Sequence, residues 1–577
     1  MTSLRMYSKY ATRLLQRKSR LVVVFTCLVS IILWVYCQFP TSQTGLISDV
    51  IDKPDTQQSL DNKNPIASNL KQLYSSLMTS LVAMSPEGEL EKKYNKACKL
   101  KGALDGNPNR YETWFRATYD SLNNCLEIPD EKFDLLRTKH AAVTEMINQI
   151  VLPKKSLKGK GVVIVGGGKY SVLAASNIQI MRMFNTTLPV EVFIPPGEDD
   201  DQFCDEYLPK LNAKCTHIED ILDEKTLNNV KFKGYQYKSL ALLSSRFEHI
   251  LFLDADNFPI KNLDKIFDEP SYKKNGLILW SDFWRRTASP KYYDIAGIKY
   301  NRNKRVRNLF DDITPVEVYT ENMNELKDVP FHDLEGTVPD ASTESGQFLI
   351  NKKFHWKTIA LSLYYNLNGP KWYYPIFSQG APGEGDKETF ASAATVFGLP
   401  FYQLRRRPGV GGYHDTEYHG VCMLQEDFRV DINNYFKAEK IIKAKYNKKN
   451  PTFEDKNNTT LQNFYDTYFV HDESDIMFVH FNFPKLDPVD LSKDHRFISD
   501  DGKHVRSISN LKSIGYFDLE LNVNLNLKNM LCGDNVTFSY VKKSFKKPET
   551  TKEKVCGYIE SRIKFLSSTH QDAITPK

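Results

Sequence analysis

With 577 residues, 41% of them hydrophobic and 26% charged, the chain is long enough for a large core and too rich in apolar side chains to stay disordered. Its net charge of +6 resides at one end: Arg5, Lys9, Arg13, Arg17, Lys18 and Arg20 come with no acid among them, and the remaining 71 basic residues match the 71 acidic ones. That balance excludes the charge excess of a nucleic-acid-binding surface, so no nucleic-acid partner is expected.

After this basic tail, residues 1–20, the stretch Leu21 to Phe39 is apolar apart from Thr26, Ser30 and Gln38, the pattern of a single membrane span with a cytoplasmic tail. Trp34, Tyr36 and Cys37 stand where a cleaved signal needs small residues, which favours a signal anchor over 21–39. The expected topology is single-pass type II with a lumenal catalytic domain, and so short a span suits the thin membranes of the Golgi apparatus or endoplasmic reticulum. Residues 40–68 read as a polar stem. Seven cysteines follow the span, and the sequence-near pairs Cys98/Cys125, Cys204/Cys215 and Cys532/Cys556 are plausible bridges that leave Cys422 over. Sequons at Asn185, Asn457, Asn458 and Asn535 agree with lumenal exposure.

Residues 69–158 carry helical spacing, as in Leu70, Leu73, Leu77 and Leu81, and form a predicted helical subregion. A catalytic domain is predicted over 159–577. It opens with the β-branched run Val162 to Val165, the glycines Gly166, Gly167 and Gly168, and a helical pattern beginning at Lys169 and Tyr170. Strands are expected at Val190–Ile194, Gly276–Trp280 and Gly346–Asn351, and a helix over Tyr235–Ser245. Strands alternating with helices predict an α/β fold, a mixed sheet with helices on both faces. The aromatics Trp280, Trp284, Trp372, Tyr373 and Tyr374 fit either the core or sugar stacking. The basic runs Arg405–Arg407 and Lys437–Lys449 fit either solvated faces or a phosphate contact.

The apolar run Ile250 to Leu253 ends in Asp254-Ala255-Asp256. Two carboxylates one residue apart at a strand's carboxyl end place hard oxygen ligands where open α/β sheets bind their ligands, as a divalent cation holding a diphosphate requires.

Tyr237-Lys238-Ser239-Leu240 followed by Phe247 to Asp256 resembles the donor-binding core of GT-A glycosyltransferases of the glycogenin-like kind. Glu344-Ser345-Gly346-Gln347 resembles their sugar-pocket strand, Gly385-Asp386-Lys387-Glu388 their Gly-Asp-Gln turn, and Phe478-Val479-His480-Phe481 the strand bringing a third metal ligand. Asn482-Phe483-Pro484-Lys485 stands where that group has a Gly and then Lys-Pro-Trp. Over most of the lumenal part the chain is similar to fungal Golgi α-mannosyltransferases of the MNN family, in the segments Val165–Tyr170, Pro189–Phe193, Leu211–Cys215, Lys238–Asp256 and Ser378–Thr389. The last resembles the branch adding α-1,2-linked mannose to an α-1,6-mannan backbone.

The resemblance implies a GT-A-like fold and the partners GDP-mannose, an α-linked mannan acceptor and the Golgi membrane. It implies Mn2+ or another divalent cation on Asp254, Asp256 and His480. Donor binding is assigned to Gly166, Gly167, Gly168, Lys169, Tyr170, Tyr237, Lys238, Ser345, Gly346 and Lys485, and catalysis to Asp386 and Glu388, with an N-cap of the next helix as the other reading of that pair. Since the donor is α-linked, an α-linked product means retention. Two competing readings are a non-catalytic mannan-binding or complex-assembly subunit and a mannosylphosphate transferase.

Overall fold

The structure, a computed structural model, describes residues 65–575 except 96–97, 99, 101–116, 154, 199, 448, 455–458, 471, 473–474, 500–501 and 534–537. The expected tail, span and nearly all of the stem lie outside the described residues, as do the sequons at Asn457, Asn458 and Asn535. No helix among the described residues is long and apolar enough to cross a membrane. The helix Pro65–Ala83 starts inside the last residues assigned to the stem, with a proline in the first turn, where no backbone N–H is needed.

The strands in chain order are β1 (Lys160–Val165), β2 (Val190–Ile194), β3 (Ala213–His217), β4 (His249–Leu253), β5 (Asn257–Pro259), β6 (Leu277–Ser281), β7 (Asn301–Arg305), β8 (Leu334–Glu335), β9 (Thr343–Asn351), β10 (Tyr402–Gln403), β11 (Gly409–His414), β12 (Tyr418–Glu426) and β13 (Ile476–His480). Seven form the main sheet in the order β10-β6-β9-β4-β1-β2-β3, and β11-β12-β13-β5 form a second. The main sheet is mixed: β1, β2, β3 and β4 run parallel, and β9 lies antiparallel between β4 and β6.

Alternation along these strands sorts two cores onto the two faces, because successive side chains in a strand point opposite ways. Val162, Ile164, Leu251, Leu253 and Leu349 join the helix Lys169–Met183, the second sheet and the helices Leu519–Leu531 and Lys552–Ser568. Val163, Ile250, Phe252, Phe348 and Ile350 join the helices Pro65–Ala83, Asp130–Gln149, Gln236–Ser244, Trp356–Leu367 and Thr389–Val396. The mixed sheet with helices on both faces is therefore observed.

The bridges are Cys98–Cys125, Cys204–Cys215 and Cys532–Cys556, with Cys422 free and buried. Trp280, Trp372, Tyr373 and Tyr374 are core residues, which removes them as sugar platforms; Trp284 alone of that set is half-buried. Arg405 lies over Tyr402 and Tyr435 and pairs with Asp312 at 2.9 Å, Arg406 sits 3.5 Å from Glu426, and Arg407 covers Phe310. This run is spent on internal contacts. Lys437, Lys440, Lys443 and Lys445 form the solvated face of the helix Phe428–Tyr446.

Candidate metal centre and donor cleft

The Asp-Ala-Asp turn is held from three sides. Asp254 N–H donates to the Gly346 carbonyl at 2.8 Å, continuing the β4–β9 pairing past the strand end. Asn177, from the helix Lys169–Met183, donates its side-chain N–H to the Asn257 carbonyl at 2.7 Å, and Asn257 Nδ2 donates to the Gly346 carbonyl at 3.0 Å. Immediately after the turn β5 pairs with β13, setting His480 opposite Asn257, and Phe481 N–H donates to the Asp256 carbonyl at 3.0 Å. The second sheet is thereby docked so that β13 delivers an imidazole to the two carboxylates.

Asp254, Asp256 and His480 each offer a ligand atom, and these atoms lie within 4.8 Å of one another. His480 Nε2 is 3.5 Å from Asp256 Oδ1, and its Nδ1, buried and without a hydrogen-bond partner, is 3.8 Å from Glu344 Oε1. Two carboxylates and an imidazole fit a divalent cation of the manganese type, and a carboxylate beside the ring's other nitrogen, here the half-buried Glu344, is the usual way of orienting a histidine ligand. Gly346 makes room for this: a Cβ there would lie 2.6 Å from His480 Cε1 and 2.9 Å from Glu344 Oε1. Glu344 is the functional neighbour that sequence reading left without a role; its place two residues before that glycine on an inward-facing strand was the available signal.

Lysines flank the acids. Lys238, in the first turn of the helix Gln236–Ser244, reaches Asp254 Oδ2 at 3.1 Å, the Ser345 carbonyl and Oγ at 3.0 Å each, and Asp386 Oδ2 at 3.5 Å. Ser345 Oγ donates to Asp386 Oδ1 at 3.0 Å. Lys485 contacts Asp256 and lies 5.7 Å from the ring centroid of the half-exposed Tyr170. Burial alone would push both lysines down, but Asp254 and Asp386 around Lys238, and Asp256 beside Lys485, outweigh it and hold them above the usual lysine value. Against the same burial, His480 and Lys485 hold Asp256 far below the carboxylate range, while burial wins at Asp386 and Glu344, which are raised.

The structure thus gathers Asp254, Asp256, His480, Lys238, Lys485, Ser345, Gly346 and Asp386 at one sheet end, with Tyr170 on the rim. Gly167 and Gly168 take positive φ beside Pro195 and Glu198, and Gly166 packs on Val192, so the loop is a tight one after β1. Lys169 is drawn to Asp490 at 2.9 Å. Tyr237 stands apart: its hydroxyl donates to the Phe232 carbonyl at 2.8 Å, because one residue of helix turns it away from the face of Lys238. Tyr235, which shares that face, sits against Gly385 and is half-exposed in the cleft. Glu388 occupies the N-cap position of the helix Thr389–Val396 without capping it, and pairs instead with the buried Arg286, away from the acid cluster. Asn185 is exposed at a left-handed turn.

A parallel strand ending in two carboxylates, an imidazole from a second sheet and lysines beside them describe a cation-and-phosphate centre in an α/β enzyme. The sequence profile of a family described as “Mannosyltransferase putative” matches residues 159–427, the segment that contains all of this except His480 and Lys485. The chain is 46% identical over 552 residues to α-1,2-mannosyltransferase MNN2 of Saccharomyces cerevisiae, covering 94% of this chain and 92% of that one. It is 37% identical to α-1,2-mannosyltransferase MNN5 of the same yeast, covering 88% and 92%. Among solved structures, the glycosyltransferase GlyE of Streptococcus pneumoniae TIGR4 aligns with a TM-score of 0.29 and 12% identity over 65% of this chain and 64% of that one. The chain belongs to the MNN family of fungal α-1,2-mannosyltransferases.

Proposed function

We propose that the protein moves mannose from GDP-mannose to α-mannoside acceptors of N-linked mannan, retaining the α configuration and forming α-1,2 linkages. We read its main domain as GT-A-like, its cation as Mn2+ or a similar ion on Asp254, Asp256 and His480, and its setting as the Golgi lumen behind a type II anchor at 21–39. The supporting observation is the convergence of this ligand trio with Lys238, Ser345 and Asp386, in a chain 46% identical to a named α-1,2-mannosyltransferase. A silent subunit would have no use for so complete a charge arrangement.

In transfer, the bond from the anomeric carbon to the β-phosphate oxygen breaks, an acceptor hydroxyl oxygen bonds to that carbon, and the hydroxyl proton passes to a phosphate oxygen of the departing GDP. A bound cation supplies positive charge to that leaving diphosphate. Lys485, beside Tyr170 and Asp256, adds a fixed charge on the phosphate side, and the glycine loop leaves backbone room for the nucleotide. Lys238 clamps Asp254 to Asp386, so Asp386 is presented to the sugar, where a carboxylate steadies the charge that grows as the bond breaks. Glu388 serves this through Arg286, by fixing the turn that carries Asp386.

Two measurements test this reading. The full chain, given labelled GDP-mannose and α-1,6-mannobiose, should yield a trisaccharide whose new bond is α-1,2 by linkage analysis. Transfer of label only as mannose phosphate, or to no mannoside, would overturn it. In sealed microsomes the domain should resist added protease until detergent is present, and digestion without detergent would refute the lumenal assignment.

A further inference from the structure

A second cleft opens at the end of β10, between that strand and the segment 307–312. Its volume is about 160 Å³, of the order of one pyranose ring. The floor is Leu309, Phe310 and Leu404; the partly exposed lining is Phe401 and Pro339, apolar, with Arg307, Asp312 and Arg405 around them. The polar groups are already oriented: Arg405 is fixed to Asp312 at 2.9 Å, and Arg307 donates to the His332 carbonyl at 2.5 Å and to Thr337 Oγ1 at 3.1 Å.

The cleft belongs to the same end of the sheet as the metal centre. β10 runs parallel to β6, and β9, antiparallel to both β6 and β4, starts where β6 ends. The end of β10 therefore lies three strand spacings from the end of β4, roughly 14 Å at about 4.8 Å per strand. One buried side chain ties the two places together: Arg286 pairs with Glu388, on the turn that carries Asp386, and donates to the Pro339 carbonyl at 2.8 Å and to Gln403 Oε1 at 3.2 Å in the cleft wall.

Charge identifies the class of ligand. Arg405 is held by Asp312, Asp340 by Arg285, and Arg307 by the His332 carbonyl and Thr337, so each of these charged groups already has a partner, and two carboxylates oppose a phosphate. Apolar patches beside pre-oriented charged hydrogen-bonding groups suit a neutral polyhydroxyl ring, which offers a C–H face and a rim of hydroxyls. We propose that this cleft is a subsite for a mannose residue of the acceptor chain remote from the point of transfer, so that the enzyme grips its polymer at two places. This rests on the transferase reading above.

The test compares α-1,6-linked mannose oligomers of increasing length as acceptors for the full chain. Wild-type kcat/KM should rise about tenfold from the disaccharide to oligomers long enough to span both sites, the return expected from one added polar-apolar ring contact. Asp312→Ala and Asp312→Trp, the second obstructing the mouth, should remove most of that gain through KM while leaving disaccharide turnover within roughly twofold, since neither touches the reacting groups. A gain that survives both variants, a wild type indifferent to length, an equal loss on the disaccharide, or a preference for phosphorylated oligomers would each overturn the subsite. Failure to transfer to any mannoside would instead strike the proposed function itself.

Discussion

Changing Asp256 to asparagine should lower kcat/KM for transfer by at least about a hundredfold, since even the partners of metal ligands are worth ten- to a hundredfold. The substitution keeps shape and removes charge. Asp256 is 1% exposed and holds both Lys485 and His480, so three functions depend on one carboxylate: ligating the cation, fixing the phosphate-side lysine and drawing in the imidazole. Breaking a buried pair by removing one partner costs about 3–5 kcal/mol where the charge left behind cannot escape. Here His480 can shed its proton and Lys485, with 29% of its side chain exposed, can turn to solvent, so the loss of stability should be well below that. Because the folded Asp256 is held below its unfolded value, its contribution is complete above about pH 4 and is lost only as pH falls through the lower folded value. The variant should therefore show its full stability deficit at neutral pH and converge on wild type in strong acid. Activity within about tenfold of wild type would refute the ligand assignment, because no surviving group could replace a carboxylate between a lysine and an imidazole.

Five of the seven main-sheet strands, β1, β2, β4, β6 and β9, were legible because each is a short apolar run bounded by turn residues, and burial on both faces of a sheet leaves that signature in the chain itself. The candidate metal trio was legible for a different reason: Asp254 and Asp256 declare themselves at a strand end, but His480 is 224 positions after Asp256 and only family resemblance joined it to them. What the sequence concealed is where side chains go once helix phase and neighbours decide. Tyr237 and Tyr235 look interchangeable beside Lys238, yet two residues of helix, roughly 200° of turn, send the first to the Phe232 carbonyl and the other into the cleft. Glu388 looks like a partner for Asp386, and it is taken by Arg286, a residue with no local motif around it. Arg405 to Arg407 read as a cationic run, but packing over Tyr402, Tyr435 and Phe310 turns two of them into covers for aromatic rings. Such placements depend on pairings distant in sequence, which spacing alone does not encode.

GDP should bind much more tightly with Mn2+ than with a chelator, and the difference should shrink as pH falls. Without a cation, Asp254, Asp256 and Glu344 repel a diphosphate across a few ångströms of partly desolvated cleft, so the ion is what makes the site attractive. The pH sense follows from His480. Burial works against its charged form, but Asp256 and then Glu344 outweigh that and hold it above the ordinary histidine value. A protonated imidazole has no lone pair for a metal, so Mn2+ must displace a proton, and the Mn2+-dependent part of GDP affinity should fall by up to about tenfold per unit once pH drops below the raised value. The metal-free protein should move the other way. A histidine raised in the folded state contributes stability that is complete below its unfolded value, about 6.5, and disappears as pH rises through the folded one. Calorimetric titrations near pH 8 and near pH 6, with thermal unfolding of the chelated protein alongside, separate these trends. His480→Gln should flatten both while leaving the weak binding in chelator unchanged. GDP binding that ignores Mn2+ at either pH would remove the cation from the mechanism, and a pH response that survives His480→Gln would move the titrating ligand elsewhere.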